Sequence, residues 1–235
     1  MSRLPALILL LVTVAFGAAP LVTPPFTGYD PSLFPVAIGR PAIQPAGYAF
    51  AIWSVIYLWL ILHAGFGLWK RADHPDWARV RLPLAVAIGV GVVWLWIAGQ
   101  SAIWGTATIW IMAFAALAAF LRAPSEPDRW LLSGPLAIFA GWLTAAAAVS
   151  TGVLIAGYGV LSNAGSGLAM LALVLVIALV VQGRKPRMPV YGLTVVWALV
   201  GVIVANMGDM PLLAGAAVAG AVVMLGALAV LWRKG

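Results

Sequence analysis

The chain has 235 residues, 64% of them hydrophobic and only 8% charged, with a mean hydropathy of +1.09. Soluble domains carry roughly 25% charged residues, and most of a folded surface in water must be solvated. The composition therefore excludes a soluble enzyme, a nucleic-acid-binding protein and a disordered chain, and the net charge of +7 has to be explained inside an integral membrane protein.

Six uncharged runs set the number of membrane crossings, with His63 taken as neutral: Leu4–Tyr29, Pro41–Trp69, Leu82–Leu121, Trp130–Gly183, Met188–Gly208 and Met210–Trp232. A membrane helix needs about 20 apolar residues to cross a ~30 Å hydrocarbon core. The third and fourth runs are each long enough for two crossings, so the expected fold is all-α, a polytopic transmembrane bundle of about eight helices. They are expected near 4–22, 46–69, 82–101, 104–122, 131–155, 161–182, 189–206 and 210–232. The runs are continuously apolar, without the alternation of a transmembrane barrel.

The first segment joins Arg3 to an apolar run ending Phe16-Gly17-Ala18-Ala19-Pro20. It is read as a retained helix; the alternative, a cleavable signal peptide, would leave seven helices. The loop that follows, 23–45, holds Pro24, Pro25, Pro31, Pro35, Pro41 and Pro45. Proline fixes φ and removes a donor, so the segment is extended or turning. Loops of this length usually serve a function or order against a surface.

In the second helix Phe50, Trp53, Ser54 and Tyr57 share one face at ~100° per residue. That face joins large rings to polar tips. Lys70–Arg81 and Arg122–Arg129 mix both charge signs with proline and read as solvated turns. Gln100 and Trp104, four apart, are expected on a common face, and Trp142, Ala146 and Ser150 form a third stripe in the fifth helix. Three stripes in the first five helices predict an aromatic-lined cavity suited to a flat, apolar ligand with a few polar groups. Trp69, Trp77, Trp130 and Trp232 are expected as interfacial anchors. Gly65, Gly67, Gly89, Gly91, Gly152, Gly157, Gly215 and Gly220 read as sites of close helix approach.

Every Lys and Arg except Arg40 falls at ends and loops expected on one side. Positive residues collect in cytoplasmic loops. Both termini are thus expected in the cytoplasm, and the basic balance implies no nucleic-acid partner. No Asp, Glu, Lys or Arg is expected in a helix interior, which argues against an ion-coupled pump and against acid–base catalysis. His63 reads as a hydrogen-bonded histidine near the interface. No cysteine is present, so disulfide and thiolate chemistry are excluded.

The residues Pro45-Ala-Gly-Tyr-Ala-Phe50-Ala-Ile-Trp53-Ser-Val-Ile-Tyr57 resemble the Pro-x-x-x-x-Phe-x-x-Trp-x-x-x-Tyr signature of the TspO/MBR family, the tryptophan-rich sensory or translocator proteins. Gln100-Ser101-Ala-Ile-Trp104 is similar to that family's Leu-Asn-x-x-Trp, and Pro135, Gly141-Trp142, Ala146 and Val149-Ser150 to its Pro…Ala-Trp…Ala-x-x-Leu-Asn. Serine stands at both family asparagines, Ser101 and Ser150, with Gln100 one position before the first. The resemblance covers roughly 1–155 and implies a five-helix core, with residues 156–235 adding three helices to the same membrane domain. It implies a pocket for a porphyrin, a sterol or a related apolar ligand, opening toward the first loop. Trp53, Tyr57, Trp104 and Trp142 would stack on the ligand, Pro45 and Phe50 would shape the mouth, and Gln100, Ser101 and Ser150 would offer hydrogen bonds. It further implies a role in tetrapyrrole sensing, transport or breakdown, homodimer formation, and a bacterial inner (cell) membrane. A tetrapyrrole sensor or carrier is the expected function, with an uncoupled transporter of a small apolar metabolite as the alternative.

Overall fold

A computed structural model describes residues 3–24, 26 and 28–234. Among these residues the chain is all-helical, with eight α-helices: α1 Leu4–Val22, α2 Ile52–Lys70, α3 Pro75–Gln100, α4 Ala102–Arg122, α5 Gly134–Gly157, α6 Asn163–Arg184, α7 Val190–Asn206 and α8 Pro211–Lys234. Seven helical segments are long and apolar enough to cross a membrane, and α7, with 17 residues, is shorter. The protein is an integral membrane helical bundle.

The centre of the bundle is α5, nearly all of whose residues are buried. Its sequence explains the position. Ala137, Ala140, Gly141, Thr144, Ala145, Ala148 and Gly152 carry little side chain, so neighbouring backbones approach closely. A Cβ at Gly141 would lie 2.8 Å from the Tyr191 carbonyl oxygen of α7, and one at Gly152 would lie 2.9 Å from Ile43 Cγ2. On one side α5 packs against α4 and α2; on the other it packs against α6 and α7, which α8 backs. One hydrophobic core runs through all of them, from Leu9 to Leu228.

The glycine expectation divides. Gly67, Gly91, Gly152 and Gly157 stand where a Cβ would meet Trp77, Phe16, Ile43 and Phe34 within 3.0 Å, whereas Gly65, Gly89 and Gly215 face open space. The close contacts at Gly192 and Gly201 of α7 had no sequence signal of their own.

The largest departure from expectation is the start of α3, at Pro75 rather than near 82. Lys70–Arg81 is therefore no solvated turn. The His74 ring accepts from Asp76 N–H (3.2 Å) and Pro75 occupies the first helical turn, a strong start signal. Arg81 then turns back and donates to the carbonyls of Arg71 (2.9 Å) and Ala72 (2.7 Å), groups left free where α2 ends. Trp77 is accordingly buried and anchors nothing at an interface; its ring stacks on His63 at 4.7 Å. Trp69, Trp130 and Trp232 remain exposed. His63 lies inside the bundle, its Nδ1 2.7 Å from the Leu131 carbonyl.

Loops at this end are tied to each other. Asp128 receives both Arg71 Nε (2.8 Å) and Nη2 (3.1 Å), and Trp77 Nε1 donates to it as well (2.9 Å). Lys185 donates to the Ala123 carbonyl. The Arg71 hydrogen bonds, with that of Trp77, hold the Asp128 carboxyl below its usual range. A carboxylate whose native pKa is depressed contributes stability above its unfolded value, and that contribution is lost as pH falls through the native value. Thermal unfolding in detergent should therefore weaken below about pH 4. Asp128→Asn should cost roughly 1–3 kcal/mol at neutral pH and flatten this acid limb. An acid limb equal to that of the unaltered chain would show that Asp128 does not carry it.

Candidate functional site

At the opposite end the proline-rich loop folds over a cavity of about 1220 Å³, lined by that loop and by α1 to α7. The second helix begins with a tight 3-10 turn, Gly47–Ala51, before α2 proper. This turn delivers Phe50, Trp53, Ser54 and Tyr57 to the cavity wall. Trp142, Ala146 and Ser150 line it from α5. The rings form a connected box. Trp53 and Tyr57 stack at 5.3 Å; Trp142 stands edge-on to Phe50 (5.7 Å) and to Trp53 (6.3 Å). Edge-to-face and offset pairs at these spacings are the favourable aromatic arrangements.

Of the residues the sequence singles out, Pro45, Phe50, Trp53, Tyr57, Gln100, Trp142 and Ser150 line this cavity, while Ser101 and Trp104 do not. The Gln100–Trp104 stripe fails because no single helix carries it. The third helix ends at Gln100, Ser101 is extended (φ −154°, ψ 120°), and α4 begins at Ala102. The Ser101 hydroxyl accepts from Trp104 N–H at 3.3 Å, the work of a helix cap. Trp104 is turned outward, 67% exposed.

Ser150 is at the wall but engaged. Its hydroxyl lies 2.7 Å from Thr106 Oγ1 and in a short hydrogen bond with the Tyr29 hydroxyl. This fastens the loop to α4 and α5, and Tyr29 passes so close to Gly105 that a Cβ there would lie 2.8 Å from its oxygen. Burial pushes the Tyr29 hydroxyl above its ordinary pKa. Val36 N–H adds a bond to the Gly157 carbonyl (3.0 Å).

The last helices hold the mouth. Asn206, fully buried in α7, donates to the Ala42 carbonyl (2.9 Å) and to the Val202 carbonyl (2.8 Å), and accepts from Arg40 Nη2 (3.1 Å). Asn163, at the start of α6, accepts from Ala42 N–H and donates to the Arg40 carbonyl, both at 2.8 Å. Ala46 N–H donates to the Gly201 carbonyl (2.9 Å), and Trp197 Nε1 to the Ala49 carbonyl (3.0 Å). Leu171 and Val174 of α6 and Ala198, Leu199 and Val202 of α7 complete the lining. The C-terminal helices are thus part of the site.

Sequence reasoning missed Phe16, Tyr29, Phe34 and Trp94 in the lining. Phe16 meets the aromatic box at 5.0 Å from Tyr57 and 6.0 Å from Trp53. It sits in a featureless apolar run, and nothing local marks it. The Tyr29 hydroxyl, on a proline-rich loop, was the readable signal, since a buried phenol needs a partner. Two buried donors of cavity-lining residues have no hydrogen-bond partner among the described residues, Trp142 Nε1 and Arg40 Nη1. No cluster of three or more potential metal ligands occurs among those residues.

The arrangement is a chamber with apolar rings on several walls, few polar tips and a cover hydrogen-bonded to the helices. No curated protein and no solved structure matches the chain. The model of the TSPO-like protein family matches residues 36–230, from within the proline-rich loop through almost all of α8. That stretch takes in the second-helix motif, the last part of the cover and every helix but α1, and the chain belongs to the TSPO-like protein family.

Proposed function

We propose that the chamber binds a flat, largely apolar molecule with a few polar groups, with porphyrin-like tetrapyrroles and sterols as the first candidates, and that the protein serves as its membrane sensor or carrier. The observation that carries this reading is the box of Phe16, Phe50, Trp53, Tyr57 and Trp142 around a cavity of about 1220 Å³. Ligand pockets of roughly 300–1,000 Å³ enclose drug-sized molecules, so the volume is ample for a ring system of that class. Trp53, Tyr57 and Trp142 would pack on its faces, and Pro45 and Phe50 would shape the approach beneath the loop. Gln100 would offer polar contact, Trp142 Nε1 would supply a donor, and Ser150 would act through Tyr29 by holding the cover. The placement of basic residues supports a bacterial inner membrane orientation with both termini in the cytoplasm.

The test is a titration of purified protein with protoporphyrin, followed by tryptophan quenching. Saturable quenching is expected, and Trp53→Ala should weaken it at least about tenfold, the equivalent of 1.4 kcal/mol. Trp142→Phe keeps the ring and deletes the donor; it should weaken binding severalfold without disturbing the fold. Quenching that does not saturate, or that is indifferent to both changes, would remove the proposal.

A further inference from the structure

Arg40 is the one basic residue on the loop side of the bundle, and it lines the cavity. Its guanidinium is held, not free: Nη2 donates to Asn206 Oδ1 at 3.1 Å, and Asn206 is in turn fixed by its two bonds to the Ala42 and Val202 carbonyls. Its other terminal nitrogen, Nη1, is buried and without a hydrogen-bond partner, and no carboxylate pairs with Arg40 among the described residues. The acid of the same lining, Asp30, is exposed, and its carboxylate turns onto the Ser32 N–H instead (2.9 Å).

Arg40 is half-buried, but its Nη1 is fully shielded, and an oriented guanidinium nitrogen left unanswered in an apolar wall is costly unless something pairs with it. Arginine presents parallel N–H donors matched to a planar carboxylate. Asn206, 166 positions away, answers one terminal nitrogen of this guanidinium and fixes its orientation, while the other nitrogen stays unanswered. Resting on the chamber reading above, we propose that Arg40 is the specificity-determining residue of the site. It receives the carboxylate of an amphipathic acid whose flat apolar body lies against Trp53 and Trp142. Neutral molecules of the same shape would fill the chamber but offer Nη1 at best an uncharged acceptor, so the site selects acids over their neutral counterparts.

The experiment uses one acid and its neutral twin, 1-pyrenebutyrate and its methyl ester, with energy transfer from tryptophan to pyrene as the readout on the full chain in detergent at neutral pH. The unaltered protein should bind the acid about tenfold or more tighter than the ester, the range of one charge-assisted hydrogen bond. Arg40→Gln should remove that preference, bringing the acid-to-ester affinity ratio measured in the same variant to within about twofold of one. Equal affinities in the unaltered protein, or a preference that survives Arg40→Gln, overturns the role of Arg40 while ester binding still supports the chamber. Failure of both probes to bind overturns the chamber reading and this one together. Should Arg40→Gln lose the ester too, Arg40→Lys decides. It keeps the charge, and retained preference for the acid supports the proposal, whereas a lost preference with intact ester binding overturns it.

Discussion

Asn206→Leu is expected to destabilise the protein by about 3–5 kcal/mol. The residue is fully buried and makes three hydrogen bonds, to Arg40, Ala42 and Val202. Leucine matches its volume but answers none of them. The Ala42 carbonyl would lose its partner inside the bundle and the half-buried Arg40 guanidinium would lose the bond that orients it, at roughly 1–3 kcal/mol each. The loss acts at a distance along the chain, because Asn206 of α7 is one of the groups that hold the Arg40–Ala42 part of the proline-rich loop. Thermal unfolding in detergent should fall by roughly 10 °C, taking about 2–4 °C per kcal/mol for a chain of this size. Protease susceptibility within 23–45 should rise with it. A melting temperature within 2–3 °C of the unaltered chain, by the same scale, would show that the loop is held by other means.

The second large effect is steric. Gly141→Ala should cost about 2–3 kcal/mol although it adds one methyl group. Its Cβ would sit 2.8 Å from the Tyr191 carbonyl oxygen and 2.9 Å from Thr194 Cβ. A backbone oxygen on a packed helix cannot rotate aside, so α5 and α7 must separate. The comparison is Gly183→Ala in α6, where a Cβ meets nothing within 4 Å. There alanine should be neutral or stabilising by up to about 1 kcal/mol, through helix propensity alone. Equal melting temperatures for the two variants would contradict the close α5–α7 contact. Separation of these helices would also open the wall on which Trp142 stands, so ligand affinity should fall with stability in Gly141→Ala and not in Gly183→Ala.

The outcome at α3 and α4 illustrates how local information misleads at a helix boundary. Spacing puts Gln100 and Trp104 four residues apart, and four residues share a face only within one continuous helix. The sequence holds a signal against continuity, since Ser101 is a strong cap residue immediately before an apolar run. Read that way, Ser101 ends one helix and starts the next, and Trp104 loses its place in the chamber. The same lesson applies at Lys70–Arg81. Its charges suggest a solvated turn, but His74-Pro75-Asp76 is a helix start, and Arg81 finds carbonyl partners only because α2 ends beside it.

The number of helices and the ringed face of α2 were determined by the amino-acid sequence alone, because each is a local quantity. Run length is measured against the thickness of hydrocarbon, and a helical face is set by residues three and four apart. The composition of the chamber is not local. Phe16 reaches Tyr57 from another helix, Tyr29 reaches Ser150 across 121 positions, and Arg40 meets Asn206 across 166. Which rings converge, which hydroxyls close the cover and which carbonyls the last helices hold depend on how the small residues of α5 let its neighbours approach. Only the packed bundle decides that, since a contact between distant segments leaves no period in either one.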